Sequence, residues 1–280
     1  MKVFAHRGAS AQYAEHTRAA FAHALLVGSD GVETDVQLTA DGQLVCWHDA
    51  TLNRTSNGRG PLASQTLAEL RQLDVYSWKT PRAELPAKYG DASNQLMTLD
   101  ELALMLVDAA RPVELAVELK ITRTNEGHLE EAVLGWLQRW GWDAATGALC
   151  PDGTPSQVTI SIMSFSSRAV DRIAQTVPAP YVCPLFNAHD AHALHIGGQT
   201  EVSSVPVQLL GPSTSWLAHH ATVLRRWTDE GRTVRMWTVA TDRQFETARR
   251  LGIQQITVDD PQWALHRVQH PPRVSRLVEV

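Results

Sequence analysis

A chain of 280 residues, 44% of them hydrophobic, is long enough to bury one large core, and single α/β barrels run to this size. A net charge of −5 without a lysine or arginine cluster argues against a nucleic-acid footprint, a generic polyanion or a membrane surface as partner. No run approaches the ~20 apolar residues that span a bilayer, and Cys46, Cys150 and Cys183 are scattered without a Cys-x-x-Cys pair, as in a reducing compartment.

In chain order, Val3–His6 is a short strand, and the apolar stretch before His6, only Val3-Phe4-Ala5, leaves no room for a secretory signal, so a cytoplasmic enzyme is expected. A helix over Thr17–Val27 follows, with Thr17 as N-cap and Gly28 as its stop. Gly31–Leu38 and Gln43–His48 are strands joined by Thr39-Ala40-Asp41-Gly42, a link too short for a crossover helix, so they should form an antiparallel hairpin. Pairing Leu38 with Gln43 would set Glu33 opposite His48. Residues 51–97 break the rhythm with Asn57-Gly58-Arg59-Gly60-Pro61 and a helix around Ser64–Leu73, and read as a small insertion beside the active site.

Beyond it, strands over Val113–Lys120, Val158–Phe165, Tyr181–Phe186, Ser204–Gln208, Val234–Val239 and Gln255–Asp259 alternate with helices. The helices cover Thr98–Ala109, His128–Trp140, Ser166–Thr176, Ser215–Glu230 and Gln244–Leu251, with a further short helix after Pro261. Apolar runs without strict alternation suit strands buried on both faces. Repeated β-then-α units imply a parallel sheet, most economically a (β/α)8 barrel. The expectation is one catalytic barrel domain over residues 1–280, with a surface tail at 271–280.

Chemistry concentrates at the strand ends. Glu33 and Asp35, two apart, face one side of a strand, and Glu118 closes another apolar run. Three buried acids cost several kcal/mol each unless partnered, and a divalent cation is such a partner. A structural network with Arg7, Lys120 and Arg123 is the plainer alternative. Of 12 histidines, His6 and His48 stand apart because each ends a buried-type strand, where they can share proton removal and donation. Arg7 offers a planar fork and Lys120 a point charge for phosphate. Together they suit hydrolysis of a phosphate ester.

In their order these residues resemble the glycerophosphodiester phosphodiesterase family, from Val3 to Pro261. The resemblance is carried by His6-Arg7-Gly8, Glu15-His16-Thr17, Ala20-Phe21, Gly28, Asp30, Glu33, Asp35-Val36, Thr39, Asp41-Gly42, His48-Asp49 and Arg54-Thr55. Downstream, Val117-Glu118-Leu119-Lys120, Ser164-Phe165, Trp237-Thr238-Val239 and Asp259-Asp260-Pro261 continue it. It implies Glu33, Asp35 and Glu118 as ligands of a divalent metal, Mg2+ or Ca2+ with Mn2+ as an alternative. His6 and His48 become the acid/base pair, Arg7 and Lys120 phosphate contacts, Glu15 a supporting or glycerol-side residue, and Trp237 a pocket wall. The implied substrate is a glycerophosphodiester, cleaved to glycerol 3-phosphate and an alcohol. His16, Ala240 and Val258 depart from the family's Asn, Asn and Thr, which should alter supporting hydrogen bonds and specificity rather than the metal or histidine positions.

Three other readings follow from the same residues: a phospholipase D-like enzyme acting on lysolipids, a non-catalytic glycerophosphate- or metal-binding barrel, and a glycosidase using Glu33 and Glu118. A lysolipid enzyme needs an apolar entrance that residues 51–97 do not promise. A binding module would not need both histidines, and a glycosidase leaves Asp35, His6, His48 and Arg7 without roles.

Overall fold

The structure, a computed structural model, describes residues 1–79, 85–187 and 208–270, with residues 217–219 as backbone only. The apolar runs form strands β1 (Lys2–His6), β2 (Gly31–Leu38), β3 (Leu44–Cys46), β4 (Val113–Leu119), β5 (Val158–Ser164), β6 (Val182–Phe186), β7 (Leu209–Pro212), β8 (Thr233–Met236) and β9 (Gln255–Val258). All but β3 pair in parallel around a ring, and β1 closes it by pairing with both β2 and β9. This is the (β/α)8 barrel expected from the alternation of strands and helices.

Side chains alternate between the two barrel faces. Outward residues such as Val32, Val117, Ile160 and Ile162 pack with Ala24, Leu102, Leu106, Val133 and Trp136 of the surrounding helices, forming the main core. Inward residues Phe4, Ala116, Met163, Cys183, Leu185 and Leu209 fill the barrel. Among them is buried Arg235, paired with Glu114, bonded to Ser161 Oγ at 2.9 Å and Gln255 Oε1 at 2.8 Å, and set 4.0 Å over the Phe4 ring. Gly31 lies beside that ring: a Cβ there would fall 2.4 Å from it. Thr17 caps helix Arg18–Leu26 as expected, its Oγ1 accepting the Ala20 N–H.

Two expectations need correcting. The hairpin is antiparallel, but Leu38 pairs with Leu44 and Val36 with Cys46, one residue from the expected register. Asp35, not Glu33, therefore meets the β3 side, through Trp47 N–H to Asp35 O at 2.9 Å, and His48 lies beyond the strand. Of the strand expected at Ser204–Gln208, residues 204–207 lie outside the described residues; Gln208 is not in a strand, and β7 begins at Leu209. β7 ends in Gly211 and Pro212, both rare inside strands. Gly211 is required where Leu185 packs 2.4 Å from its would-be Cβ, and Pro212 ends the strand. The expected tail at 271–280 lies outside the described residues.

The insertion packs on β3 through its own apolar cluster, in which Leu52, Leu62, Leu70 and Val75 meet Val45 and Trp47. Its helix is short, Leu67–Leu70, and is closed by a Thr66/Glu69 capping box.

Candidate active site

The turn after β1 begins the site. Arg7 has φ 57° and Gly8 φ 78°. A Cβ on Gly8 would come within 2.6–2.8 Å of Ala20, so the helix can approach only because position 8 is glycine. The turn aims the Arg7 N–H at Glu33, 3.0 Å from its carbonyl and 3.1 Å from Oε2.

Glu33 and Asp35 along β2 and Glu118 at the C-terminal end of β4 are buried, with candidate ligand atoms all within 4.8 Å of one another. Arg7 Nε and Lys120 Nζ each stand 3.0 Å from an Asp35 oxygen, and Lys120 also bonds Glu118 Oε1 at 2.6 Å. Neither Asp35 oxygen accepts an aligned hydrogen bond. Burial pushes the Glu33 carboxyl up to about 7, and the Asp35 charge adds to it. The same two causes push Glu118 up to about 8. Burial would raise Asp35 as well, but His16, Lys120 and Arg7 hold it well below the usual carboxylate range. Three clustered buried acids, one whose two oxygens accept no aligned hydrogen bond, make a donor set that fits a hard divalent cation.

Both histidines use Nδ1 to bind a carboxylate. His6 Nδ1 is 2.6 Å from Asp259 Oδ1, and His48 Nδ1 is 2.7 Å from Asp49 Oδ1. His6 Nε2 is 4.0 Å from Glu33 Oε2. Burial works against protonating His6, but the Asp259 hydrogen bond and the Glu33 charge outweigh it and raise its proton affinity. Burial lowers that of His48, with Arg7 and Lys120 acting in the same direction against Asp35 and Asp49. His48 owes its place to Gln37, whose buried amide nitrogen lies 3.2, 3.0 and 2.6 Å from the carbonyls of Trp47, His48 and Asp49.

Arg54 of the insertion ties the site together. It holds Asp49 through Nε and Nη2, each at 2.8 Å, and Glu15 through Nη1 at 2.7 Å and Nη2 at 2.8 Å. Glu15 in turn accepts from Arg7 Nη1 at 2.9 Å. Opposite the acids, Trp237 donates to Gly211 O at 2.7 Å and meets the Phe165 ring edge-on at 5.3 Å. These groups surround a cavity of about 220 Å³ lined by His6, Arg7, Glu33, His48, Glu118, Lys120, Phe165 and Trp237, with Arg235 and Thr257 deeper in the barrel. Glu15 is not among its lining residues, and Asp35 stands behind Arg7 and Lys120.

A model described as the glycerophosphoryl diester phosphodiesterase family matches residues 6–263. The chain belongs to this family. A probable glycerophosphodiester phosphodiesterase 1 of Mycobacterium tuberculosis is 36% identical over 259 residues, covering 92% of this chain and 89% of that protein. A glycerophosphodiester phosphodiesterase of Bacillus subtilis is 30% identical over 203 residues, covering 72% of this chain and 65% of its own length. Among solved structures, an Oleispira antarctica phosphodiesterase in complex with the product sn-glycerol-3-phosphate shares the fold at TM-score 0.75 and 24% identity, covering 96% of this chain and 97% of that one.

Set against the pattern of the phosphodiesterase family, one departure bears on the acids more directly than expected. His16 replaces the usual Asn and is buried against Asp35, its Nε2 accepting the Asp35 N–H at 3.1 Å. Val258 pairs with Ala5 in the β1–β9 ladder, and Ala240 is exposed, its N–H bonded to Gln244. Sequence reasoning assigned no role to Asp259, Asp49, Arg54, Gln37 or Arg235. The first three stand inside the matched motifs, which was the available signal; Gln37 and Arg235 carried none.

Proposed function

We propose that this chain is a divalent-metal-dependent phosphodiesterase that hydrolyses glycerophosphodiesters to sn-glycerol 3-phosphate and an alcohol. The observation that carries the reading is one cavity edged by Glu33 and Glu118 of a three-acid cluster and by two histidines that each bind a carboxylate through Nδ1. Glu33, Asp35 and Glu118 would hold Mg2+, Ca2+ or Mn2+, which supplies Lewis-acid stabilisation of charge on the phosphoryl oxygens. Arg7 and Lys120 line the cavity and add positive charge where the transition state gathers negative charge.

Asp259 and Asp49 fix the two imidazoles with Nδ1 engaged, leaving Nε2 as the atom that exchanges protons. The raised proton affinity of His6 makes it the stronger base, taking the proton of the attacking hydroxyl or water. The lowered affinity of His48 makes it the readier donor to the departing alcohol. Trp237 and Phe165 wall the glycerol side and keep water from it. Glu15 acts behind Arg7 rather than on the glycerol, since its carboxylate is committed to Arg7 and Arg54. The three cysteines are free thiols, two of them buried, which supports a reducing, cytoplasmic setting.

The test is glycerol 3-phosphate release from a panel of glycerophosphodiesters, in EDTA and then with added Mg2+, Ca2+ or Mn2+. Metal-restored release is the expected result. A folded protein that releases none with any of the three refutes the reading.

A further inference from the structure

The barrel-mouth cavity meets a second space. A more open groove of about 560 Å³ runs outward between the segments that follow β3 and β4. The two share a wall made of His48, Glu118, Lys120 and Phe165. His6, Arg7 and Trp237 line the cavity alone, while Ala50, Thr51, Ile121 and Thr122 line the groove alone.

We propose that the groove is the leaving-alcohol subsite and that it takes an uncharged, hydroxyl-bearing alcohol; this rests on the phosphodiesterase reading above. A phosphodiester carries two substituents, and displacement at phosphorus sends the departing oxygen away from the entering one. The junction of the two spaces, beside Lys120 and Glu118, is where one phosphorus can face both. The smaller cavity inside the barrel suits the glycerol phosphate that every substrate of the class shares. The alcohol varies in size and needs the open end.

In the step itself, the entering oxygen bonds to phosphorus and loses its proton to His6. The bond from phosphorus to the alcohol oxygen breaks, and that oxygen takes a proton from His48, the histidine that borders the groove. The wall chemistry then selects the alcohol. Charged groups of the groove lie at the junction or beside it and are committed: Asp49 to His48 and Arg54, and Glu118 to Lys120. Further out, Thr51 and Thr122 offer hydroxyls while Ala50 and Ile121 offer apolar surface. Among the lining residues there is no free carboxylate for a choline and no free cation for a carboxylated alcohol, whereas a glycerol or an inositol finds hydrogen-bonding partners.

The experiment compares kcat/KM for glycerophosphodiesters with methanol, glycerol, inositol and choline as leaving groups, using the metal-loaded full chain. Wild-type protein, Thr122→Trp, Ala50→Trp and Thr122→Glu are measured side by side. Wild type is expected to favour glycerol and inositol over choline by about tenfold or more. Either tryptophan, placed on a different wall segment, should cut the inositol-to-methanol ratio by about tenfold. Thr122→Glu should raise the choline-to-glycerol ratio severalfold, a shift that misfolding cannot mimic because loss of folded protein scales all substrates alike. Ratios within twofold of wild type in all three variants, or a wild-type preference for choline, overturn the groove assignment while leaving the phosphodiesterase reading standing. No release from any diester by wild type overturns both.

Discussion

Cation binding at the three acids should depend steeply on pH. In the metal-free protein the buried pair titrates near 7 and 8, with Glu33 and Glu118 lifted from an ordinary 4.5 by burial and by Asp35. A cation needs both carboxylates ionised and must displace those protons. The site is almost fully competent by about pH 9 and loses competence as pH falls through 8 and then 7. With steps at these two values, the doubly ionised fraction drops to roughly one in a thousand at pH 6, so affinity should weaken about 10³-fold between pH 9 and 6. Titration calorimetry with Mg2+ or Ca2+, run in buffers of differing ionisation heat, should count about two protons released per cation at pH 6 and almost none at pH 9. A dissociation constant constant within about threefold over this range, with no proton release, would remove Glu33 and Glu118 from the ligand set. A second readout follows from the same shifts. In EDTA these acids stay protonated in the folded state after they have ionised in the unfolded one, so their contribution to melting temperature should fall from about pH 5 to 8 and recover on adding cation.

His48→Ala should lower turnover by at least about 10²-fold while the metal dissociation constant moves by less than about twofold; a wild-type rate would end its assignment as proton donor. Gln37→Glu sets a negative charge against three carbonyl oxygens, so kcat should fall about tenfold with metal affinity unchanged, and a kcat equal to wild type would show that His48 is positioned by other contacts. Gly31→Ala forces a methyl to 2.4 Å from the Phe4 ring and 2.8 Å from Glu114 O, and should cost about 1–3 kcal/mol in denaturant melts, a neutral result excluding a rigid barrel floor. Burial opposes ionisation of Glu15, but Arg54, His16 and Arg7 prevail and bring its carboxyl down to about 2. The stabilisation from this shift is present above the unfolded value of 4.5 and is lost as pH falls toward 2, so the melting gap between wild type and Arg54→Ala should be widest near neutrality and close in acid.

The barrel, and most of the residues around its mouth, could be read because their signals are local. A strand's apolar run announces burial, a glycine after a helix announces its stop, and two acids two residues apart share a face whatever the rest of the chain does. What failed depended on pairings that the local pattern does not encode. The hairpin register turned on whether Leu38 meets Gln43 or Leu44, which the turn alone does not decide. β7 runs through Gly211 and Pro212, beyond the expected strand, and Gly211 is accommodated there by a leucine 26 residues earlier. Likewise, Arg235 had no reading until its partners Glu114, Ser161 and Gln255 were brought around it from three other strands.

Glu15 shows how distant partners bear on a choice that sequence leaves open. The family resemblance implies either a supporting or a glycerol-side residue at this position. In the fold its two oxygens are taken by Arg7 and Arg54, so the chain His48–Asp49–Arg54–Glu15–Arg7–Asp35 runs unbroken from the proton donor to the acid cluster. Four of those five links join residues of opposite formal charge. Removing one member leaves a partly buried charge facing the next, and this costs more than the lost pair itself would suggest. Arg54 enters this chain from the insertion, which makes the insertion more than a cover: it fixes the carboxylate that fixes His48. Loop and barrel are therefore coupled at the imidazole, and changes in the insertion should reach the chemistry through Arg54 before they reach it through the shape of the pocket.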